Sequence, residues 1–113
     1  MTRVFIYLPS FEKQFKNTDL NKDDETAIEN EILNNPATGV IIKGTGGIRK
    51  FRMALPHTGK SGGARVIYVD FPKYGKVYLI AIFAKNEKDN LNQEERNELK
   101  ILTKMLELEA GKG

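Results

Sequence analysis

The residues best equipped for chemistry in this sequence are lysines and arginines concentrated in its central part. Six cations lie between Lys43 and Tyr68, and no Asp or Glu occurs between Ile32 and Val69. These cations are Lys43, Arg49, Lys50, Arg52, Lys60 and Arg65. Like charges without interspersed acids repel each other, and binding of a polyanion offsets that repulsion. On charge alone, the alternative is an ordinary basic surface hairpin.

The composition excludes several other kinds of catalytic chemistry. The chain has no cysteine, so it has no disulfide, no thiolate nucleophile and no Cys-based zinc site. Its single histidine, His57, cannot form a two-histidine acid/base pair or a His-rich metal site. No acid pair lies near the basic stretch. We therefore expect chemistry by Lys, Arg and Tyr, with no metal and no cofactor.

Alternation along the strand predicted from Ile48 to Leu55 sorts its side chains onto two faces. Arg49, Phe51 and Met53 share one face, where the two apolar residues look like core. Lys50 and Arg52 then project together from the other face, about 7 Å apart. Two cations at that spacing suit a phosphate-rich strand.

The elements that must position these residues follow from the hydrophobic and capping patterns. Further strands are expected at Arg3–Leu8, Ala64–Phe71 and Val77–Ala84, and helices after Pro9, Asn21 and Asn92. Asn92 and Glu95 have the spacing of a capping box. We predict an α+β fold, β-α-α-β-β-β-α, with a mainly antiparallel sheet packed by helices.

The size and apolar content of the chain predict one cytoplasmic domain, residues 1–113. A length of 113 residues with 40% hydrophobic and 29% charged residues is typical of one globular domain. The longest apolar runs, such as VYLIAIF, are too short to span a bilayer. The N-terminus lacks the architecture of a signal peptide, and no membrane partner is expected.

Glycines are concentrated in the same region as the cations. Seven of the ten lie between Gly39 and Gly63, which indicates tight turns or close backbone approach. The GTGG run has neither the Walker lysine spacing nor a GxGxxG pattern opening a helix. We therefore do not predict a nucleotide-binding loop.

Three stretches in fixed order make the chain resemble the RelE/ParE superfamily of toxins of type II toxin–antitoxin modules, most closely its HigB branch. They are NNPATGVIIKGTGGIRKFRMAL, GKSGGARVIY and IAIFAKNEKDNLNQEE. The resemblance covers nearly the whole chain and implies a RelE-like fold. It implies a ribosome-dependent mRNA endonuclease that enters the ribosomal A site and inhibits translation and growth. It also implies a cognate antitoxin, usually a helix-turn-helix HigA-like protein. The toxin would then contact DNA only indirectly, through this antitoxin.

RNA cleavage of this kind places definite demands on the cations. The 2′-hydroxyl is the nucleophile, so the protein must accept its proton, stabilise a dianionic phosphorane and protonate the leaving 5′-oxygen. Arg65 suits charge stabilisation because a guanidinium matches two phosphate oxygens. Lys50 suits the role of general base if Arg52 and Arg49 crowd it, because neighbouring cations favour its neutral form. Arg52 and Lys85 would hold phosphates or share the transition-state charge.

The resemblance assigns the same residues and also shows a departure. Lys50 and Arg52 match the two basic positions of the RelE-type active-site strand, and Arg65 matches the return-strand arginine. Where RelE-type ribonucleases carry another arginine followed by a tyrosine, this chain has Asn86 and no tyrosine. Lys85 is the candidate replacement for the arginine, and the general acid stays unassigned.

Four further residues are candidate contacts to RNA or the ribosome: Arg49, Lys43, Lys60 and His57. Each also has a simpler interpretation. Lys43 and Lys60 could be solvated loop charges, Arg49 a structural residue and His57 an ordinary loop residue.

Two other functions are consistent with the sequence. A ParE-type protein would bind DNA gyrase and cut nothing, but an acid-free cationic window is not needed for binding a protein. A non-enzymatic RNA-binding module would need aromatic stacking platforms, whereas most aromatic residues here fall at predicted core positions, including Tyr68.

Overall fold

The computed structural model describes residues 2–53, 63–84 and 91–112, which contain five strands and three α-helices. A 3₁₀ turn, Pro72–Tyr74, links the last two strands. The elements in chain order are β1 (Val4–Tyr7), α1 (Pro9–Lys16), α2 (Lys22–Asn34), β2 (Val40–Ile41), β3 (Arg49–Met53), β4 (Ala64–Phe71), β5 (Lys76–Ala84) and α3 (Gln93–Gly111).

The strands form one sheet in the order β1-β5-β4-β3-β2. Strands β2 to β5 are antiparallel neighbours, whereas β1 pairs in parallel with β5. The predicted α+β class with a mainly antiparallel sheet is confirmed. The predicted order β-α-α-β-β-β-α is incomplete because it lacks β2. That strand has only Val40 and Ile41, both exposed, so it gives no alternating pattern.

Side-chain caps fix the starts of the two longer helices. Asn21 accepts a hydrogen bond from the N–H of Asp24, whose carboxylate accepts one from the N–H of Asn21. Asn92 and Glu95 exchange the same two bonds at the start of α3. Both capping predictions are confirmed. No helix within the described residues is long and apolar enough to cross a membrane.

Each face of the sheet carries its own apolar core. On one face, Phe11 of α1 and Ile28 and Ile32 of α2 are completely buried against the sheet. On the other face, Leu106 and Ala110 of α3 pack against the sheet. The helices therefore cover both faces, and among the described elements α3 supplies the helical cover on the second one.

Polar bonds attach α3 to the rest of the fold at two places. The hydroxyl of Thr103 donates to the carbonyl of Thr45 at 2.7 Å, and both residues are buried. Nearer the end of the helix, Nζ of Lys76 donates to the carbonyl of Ala110 at 3.0 Å. A cation at this position also interacts favourably with the negative end of the helix dipole.

The GTGG run is thus part of the attachment of α3. The side chain of Thr45 closes the turn by donating to the carbonyl of Ile42 and accepting from the N–H of Ile48. Gly46 has a φ of 80°, and a Cβ built on it would lie 3.3 Å from Cγ2 of Thr103. Glycine satisfies both the left-handed backbone and the close approach of the helix.

Candidate functional site

The register of β3 and β4 brings three of the predicted catalytic cations onto one face. Lys50 lies opposite Ile67, and Arg52 lies directly opposite Arg65. Directly opposed residues of an antiparallel pair share a face, and so do alternate residues of one strand. We call Lys50, Arg52 and Arg65 the cationic face. It lies on the same side of the sheet as α3, because Ile67 belongs to the core that α3 covers.

The three side chains differ in exposure. Arg52 is exposed, whereas Lys50 and Arg65 are partly buried. Within the described ranges, the side chains of Lys50 and Arg52 make no hydrogen bond or ion pair. Asp70, the only acid of β4, is bound elsewhere: its two carboxylate oxygens accept from Nε and Nη2 of Arg3 at 2.7 and 3.2 Å. Thus the acid nearest to the cationic face along β4 is already neutralised.

Arg49 occupies the opposite face, as its place in the alternation predicts. Its Nη1 donates to the carbonyl of Gly39 at 2.6 Å. The expectation that Arg49 and Arg52 together crowd Lys50 therefore needs correction, because the side chain of Arg49 is directed to the loop before β2. The cations that share a face with Lys50 are Arg52 and Arg65. A contact of Arg49 with RNA remains a prediction.

Tyr68 completes the structural network on that opposite face. Its hydroxyl donates to the carbonyl of Pro36 at 2.6 Å and accepts from the N–H of Gly39 at 3.1 Å. Burial raises the pKa of the Tyr68 phenol, opposed by the bond from Gly39 and by the positive charge of Arg49. The ring is completely buried, which confirms that Tyr68 is a core residue.

The chain's four tyrosines all lie in described parts of the structure, and two of them, Tyr74 and Tyr78, belong to the core on the α3 side of the sheet. Tyr7 bonds to the carboxylate of Glu29, and burial, followed by that bond, raises its pKa. Tyr74 lies against Gly111 at the end of α3, and Tyr78 is buried against Phe71. These contacts hold each tyrosine within the fold, and the general acid stays unassigned.

An apolar cavity of about 180 Å³ borders the cationic face. It lies between the sheet and the first half of α3, and it is smaller than typical small-molecule sites of roughly 300–1,000 Å³. Two of its residues are paired with the cationic face: Ile67 with Lys50, and Phe83 with Arg65. The complete lining is Ile42, Ile67, Ile80, Ala81, Phe83, Leu91 and Leu99.

The remaining predicted site residues fall into two groups. Lys43 is exposed in the turn after β2, apart from the cationic face. Lys85, Lys60 and His57 lie outside the described residues, so their assignments stay predictions. Among the described residues, no three His, Asp or Glu side chains are grouped so that they could hold a metal ion.

Sequence reasoning overlooked a second line of cations. Arg96, Lys100 and Lys104 follow one another at intervals of four residues along α3. Their spacing was visible in the sequence as charge periodicity, but the apolar stripe of the same helix dominated its interpretation.

Comparisons with known proteins extend these observations to a family. Residues 2–112 match the family described as the RelE toxin of the RelE / RelB toxin-antitoxin system. A solved structure of the E. coli toxin RelE, a double arginine-to-alanine mutant in the free state, is similar with a TM-score of 0.56. The match has 14% sequence identity and covers 91% of this chain and 98% of that chain. At this identity, the structural likeness concerns the fold alone.

Proposed function

The chain belongs to the RelE toxin family of toxin–antitoxin systems, and from this membership we propose that it is a ribosome-dependent mRNA endonuclease. It acts in the cytoplasm as a single toxin domain, residues 1–113. It cleaves translated mRNA in the ribosomal A site and thereby stops translation and growth.

The observation that carries this proposal is the pairing of Arg52 with Arg65 beside Lys50. Like charges directly opposite each other on a sheet are destabilising, so this register is favourable when an anion lies between the two guanidinium groups. A phosphate fits that place because each guanidinium can donate two parallel N–H bonds to its oxygens. The cationic face therefore suits a phosphodiester better than it suits a protein surface.

The proposed reaction uses the nucleophile that RNA supplies. Lys50 is proposed to accept the proton of the 2′-hydroxyl as the 2′-oxygen forms a bond to the adjacent phosphorus. Arg65 and Arg52 stabilise the charge that develops on the non-bridging oxygens. The bond from phosphorus to the 5′-oxygen then breaks, leaving a 2′,3′-cyclic phosphate and a 5′-hydroxyl. Lys85 is proposed to share the transition-state charge, and the donor of the proton to the 5′-oxygen is unassigned.

We place the toxin in the HigB branch and propose a helix-turn-helix HigA-like antitoxin as its partner, through which it contacts DNA indirectly. The exposed apolar residues Ile101, Met105 and Leu108 of α3 support binding of the antitoxin to a helix surface. These residues lie on the side of α3 away from the sheet. An antitoxin bound there would block entry into the ribosome by its bulk rather than by neutralising the cationic face.

The same apolar surface keeps a ParE-type inhibitor of DNA gyrase as the second candidate, because it could bind a protein target without any nuclease activity. Primer extension on cellular mRNAs after induction of the toxin separates the two. Discrete cuts within reading frames are expected. Intact mRNA together with arrested replication would contradict the nuclease proposal and support the gyrase inhibitor.

The endonuclease proposal also predicts a particular product. Purified toxin, incubated with ribosomes carrying mRNA in the A site, should release fragments ending in a 2′,3′-cyclic phosphate. Cuts with ordinary 3′-hydroxyl ends would show that water, rather than the 2′-hydroxyl, attacks the phosphorus. Free mRNA without ribosomes serves as the control and should remain largely intact.

A further inference from the structure

A second group of cations lies where the GTGG turn meets α3. Arg96, Lys100 and Lys104 are spaced four residues apart and so follow one side of the helix. With a rise of 1.5 Å per residue, successive charges are separated by about 6 Å along the helix axis. Lys100 and Lys104 are exposed, and Arg96 is partly buried.

The GTGG turn brings a fourth cation to this line. A Cβ built on Gly44 would lie 3.8 Å from Cδ of Arg96, and one built on Gly46 would lie 3.9 Å from Cγ of Lys100. The turn therefore lies directly beside the helical cations, and Lys43 is exposed at its start. We call Lys43, Arg96, Lys100 and Lys104 the helix–turn surface.

No described residue forms an ion pair with the charges of this surface. The Nε atom of Arg96 is buried and makes no hydrogen bond with a described residue. A buried donor without an acceptor is costly, and an anionic ligand is one source of an acceptor.

The acids of α3 lie mostly on other sides of the helix. By the 3.6-residue period, Glu98 and Glu109 lie nearly opposite the line of cations. Glu107 is the exception, three residues after Lys104, but no ion pair joins it to that lysine. Most acids of α3 therefore lie on a different side of the helix from the line of cations. Solubility alone does not require such a separation, because mixed charges would serve it equally well.

Residues adjacent to both groups of cations line the same apolar cavity. The apolar cavity between them includes Ile42, next to Lys43, and Leu99, next to Lys100. On its other side it includes Ile67 and Phe83, which are paired with Lys50 and Arg65. The two groups of cations therefore flank one cavity, where two neighbouring RNA segments could lie side by side.

We propose that the helix–turn surface binds the phosphate backbone of folded ribosomal RNA and positions the toxin while the mRNA lies at the cationic face. This inference rests on the proposed function. Regularly spaced cations on a rigid helix suit a polymer with regularly repeated charges, and lysines act as point charges on phosphates without reading sequence. An acidic protein segment would be the alternative ligand.

The test compares two double variants that remove the same amount of charge. Lys100→Gln/Lys104→Gln changes only exposed residues of α3 on the helix–turn surface, so the fold should be preserved. Lys13→Gln/Lys16→Gln changes exposed residues of α1 and is the matched control. Binding to purified ribosomes is measured at several salt concentrations, and cleavage of ribosome-bound mRNA is measured in parallel.

We expect the helix–turn variant to bind ribosomes more weakly, with the slope of log affinity against log salt reduced by roughly 2. Its cleavage rate at saturating ribosome concentration should equal that of the wild type, because the cationic face is unchanged. The control variant should retain most of the wild-type slope.

Three results would overturn the proposal. The first is that the helix–turn variant binds ribosomes as tightly as the wild type. The second is that the control variant loses as much ribosome affinity as the helix–turn variant. The third is that the helix–turn variant binds an acidic antitoxin more weakly but binds ribosomes normally. If the wild-type protein binds ribosomes but cuts no mRNA, only the nuclease proposal is contradicted. The binding measurement would then still decide whether the helix–turn surface binds ribosomal RNA. Wild-type protein that binds no ribosomes would overturn both.

Discussion

Strands β3 and β4 present polar side chains on both faces, but the two faces use them differently. On the face covered by α1 and α2, Arg49 and Tyr68 bond to backbone groups of Gly39 and Pro36. On the face shared with α3, Lys50 and Arg52 bond to no described residue. The difference lies in the neighbours, because the loop before β2 offers the carbonyls of Pro36 and Gly39 to the first face. Arg49 is structural because a backbone carbonyl accepts its hydrogen bond, whereas the side chains of Lys50 and Arg52 remain available to bind an anion.

The largest effect that distinguishes the two faces is expected from Arg65→Ala. Loss of a partner for the transition-state charge should reduce cleavage by roughly 10²–10³-fold and abolish growth arrest. The rate is measured on ribosome-bound mRNA, with circular dichroism to verify folding. Lys13→Ala, at an exposed position of α1, is the control and should cleave normally. A folded and fully toxic Arg65→Ala protein would remove this residue from the mechanism.

On the opposite face, Tyr68→Phe should change stability and leave catalysis intact. The substitution removes both bonds of the hydroxyl and leaves the buried N–H of Gly39 without its acceptor, which costs about 2 kcal/mol. Urea unfolding measures this loss, and the cleavage rate per folded molecule should be unchanged. Tyr78→Phe is the matched control, because the Tyr78 hydroxyl makes no hydrogen bond within the described structure. Equal destabilisation by both variants would contradict the role of the network.

Arg49→Ala tests whether a strand cation on the structural face also contacts RNA. Loss of its bond to the carbonyl of Gly39 should cost about 1–2 kcal/mol of the free energy of unfolding. The slope of ribosome affinity against salt should then change little. A reduction of that slope by about 1, at unchanged stability, would instead support the predicted contact with RNA.

Removal of divalent metal should have the smallest effect of all. The proposed reaction uses only protein cations and the RNA's own hydroxyl, so cleavage should persist in EDTA. Sedimentation must verify that the ribosomes remain assembled, since they need magnesium themselves. Strict dependence of cleavage on an added metal ion, with intact ribosomes, would contradict the proposed chemistry of the cationic face.

Local patterns made much of this fold predictable. The strand at Ala64–Phe71 and the caps at Asn21 and Asn92 were visible because each depends on residues adjacent in sequence. The alternation of β3 likewise separated Arg49 from Lys50 and Arg52. The register that sets Arg52 opposite Arg65 could not be derived locally, because it depends on the pairing of separate strands.

The features that the sequence concealed depend on long-range contacts. Thr45 and Thr103 are 58 positions apart, and no pattern marks either as a partner of the other. The GTGG run showed that tight turns were needed, but not that the turn serves to hold α3. The residues of β2, Val40 and Ile41, favour a strand, but two residues give no pattern, and the strand is defined by its pairing with β3.

The position of β5 between β1 and β4 has a consequence for the synthesis of the chain. Strand β1 is made first but pairs only with β5, whose last residue is Ala84. A nascent chain that lacks β5 can pair β3 with β4, but β1 has no neighbour in the sheet. The Thr103–Thr45 bond requires still later residues. The complete sheet, with α3 attached to it, therefore cannot form until residues as late as Thr103 have been synthesised.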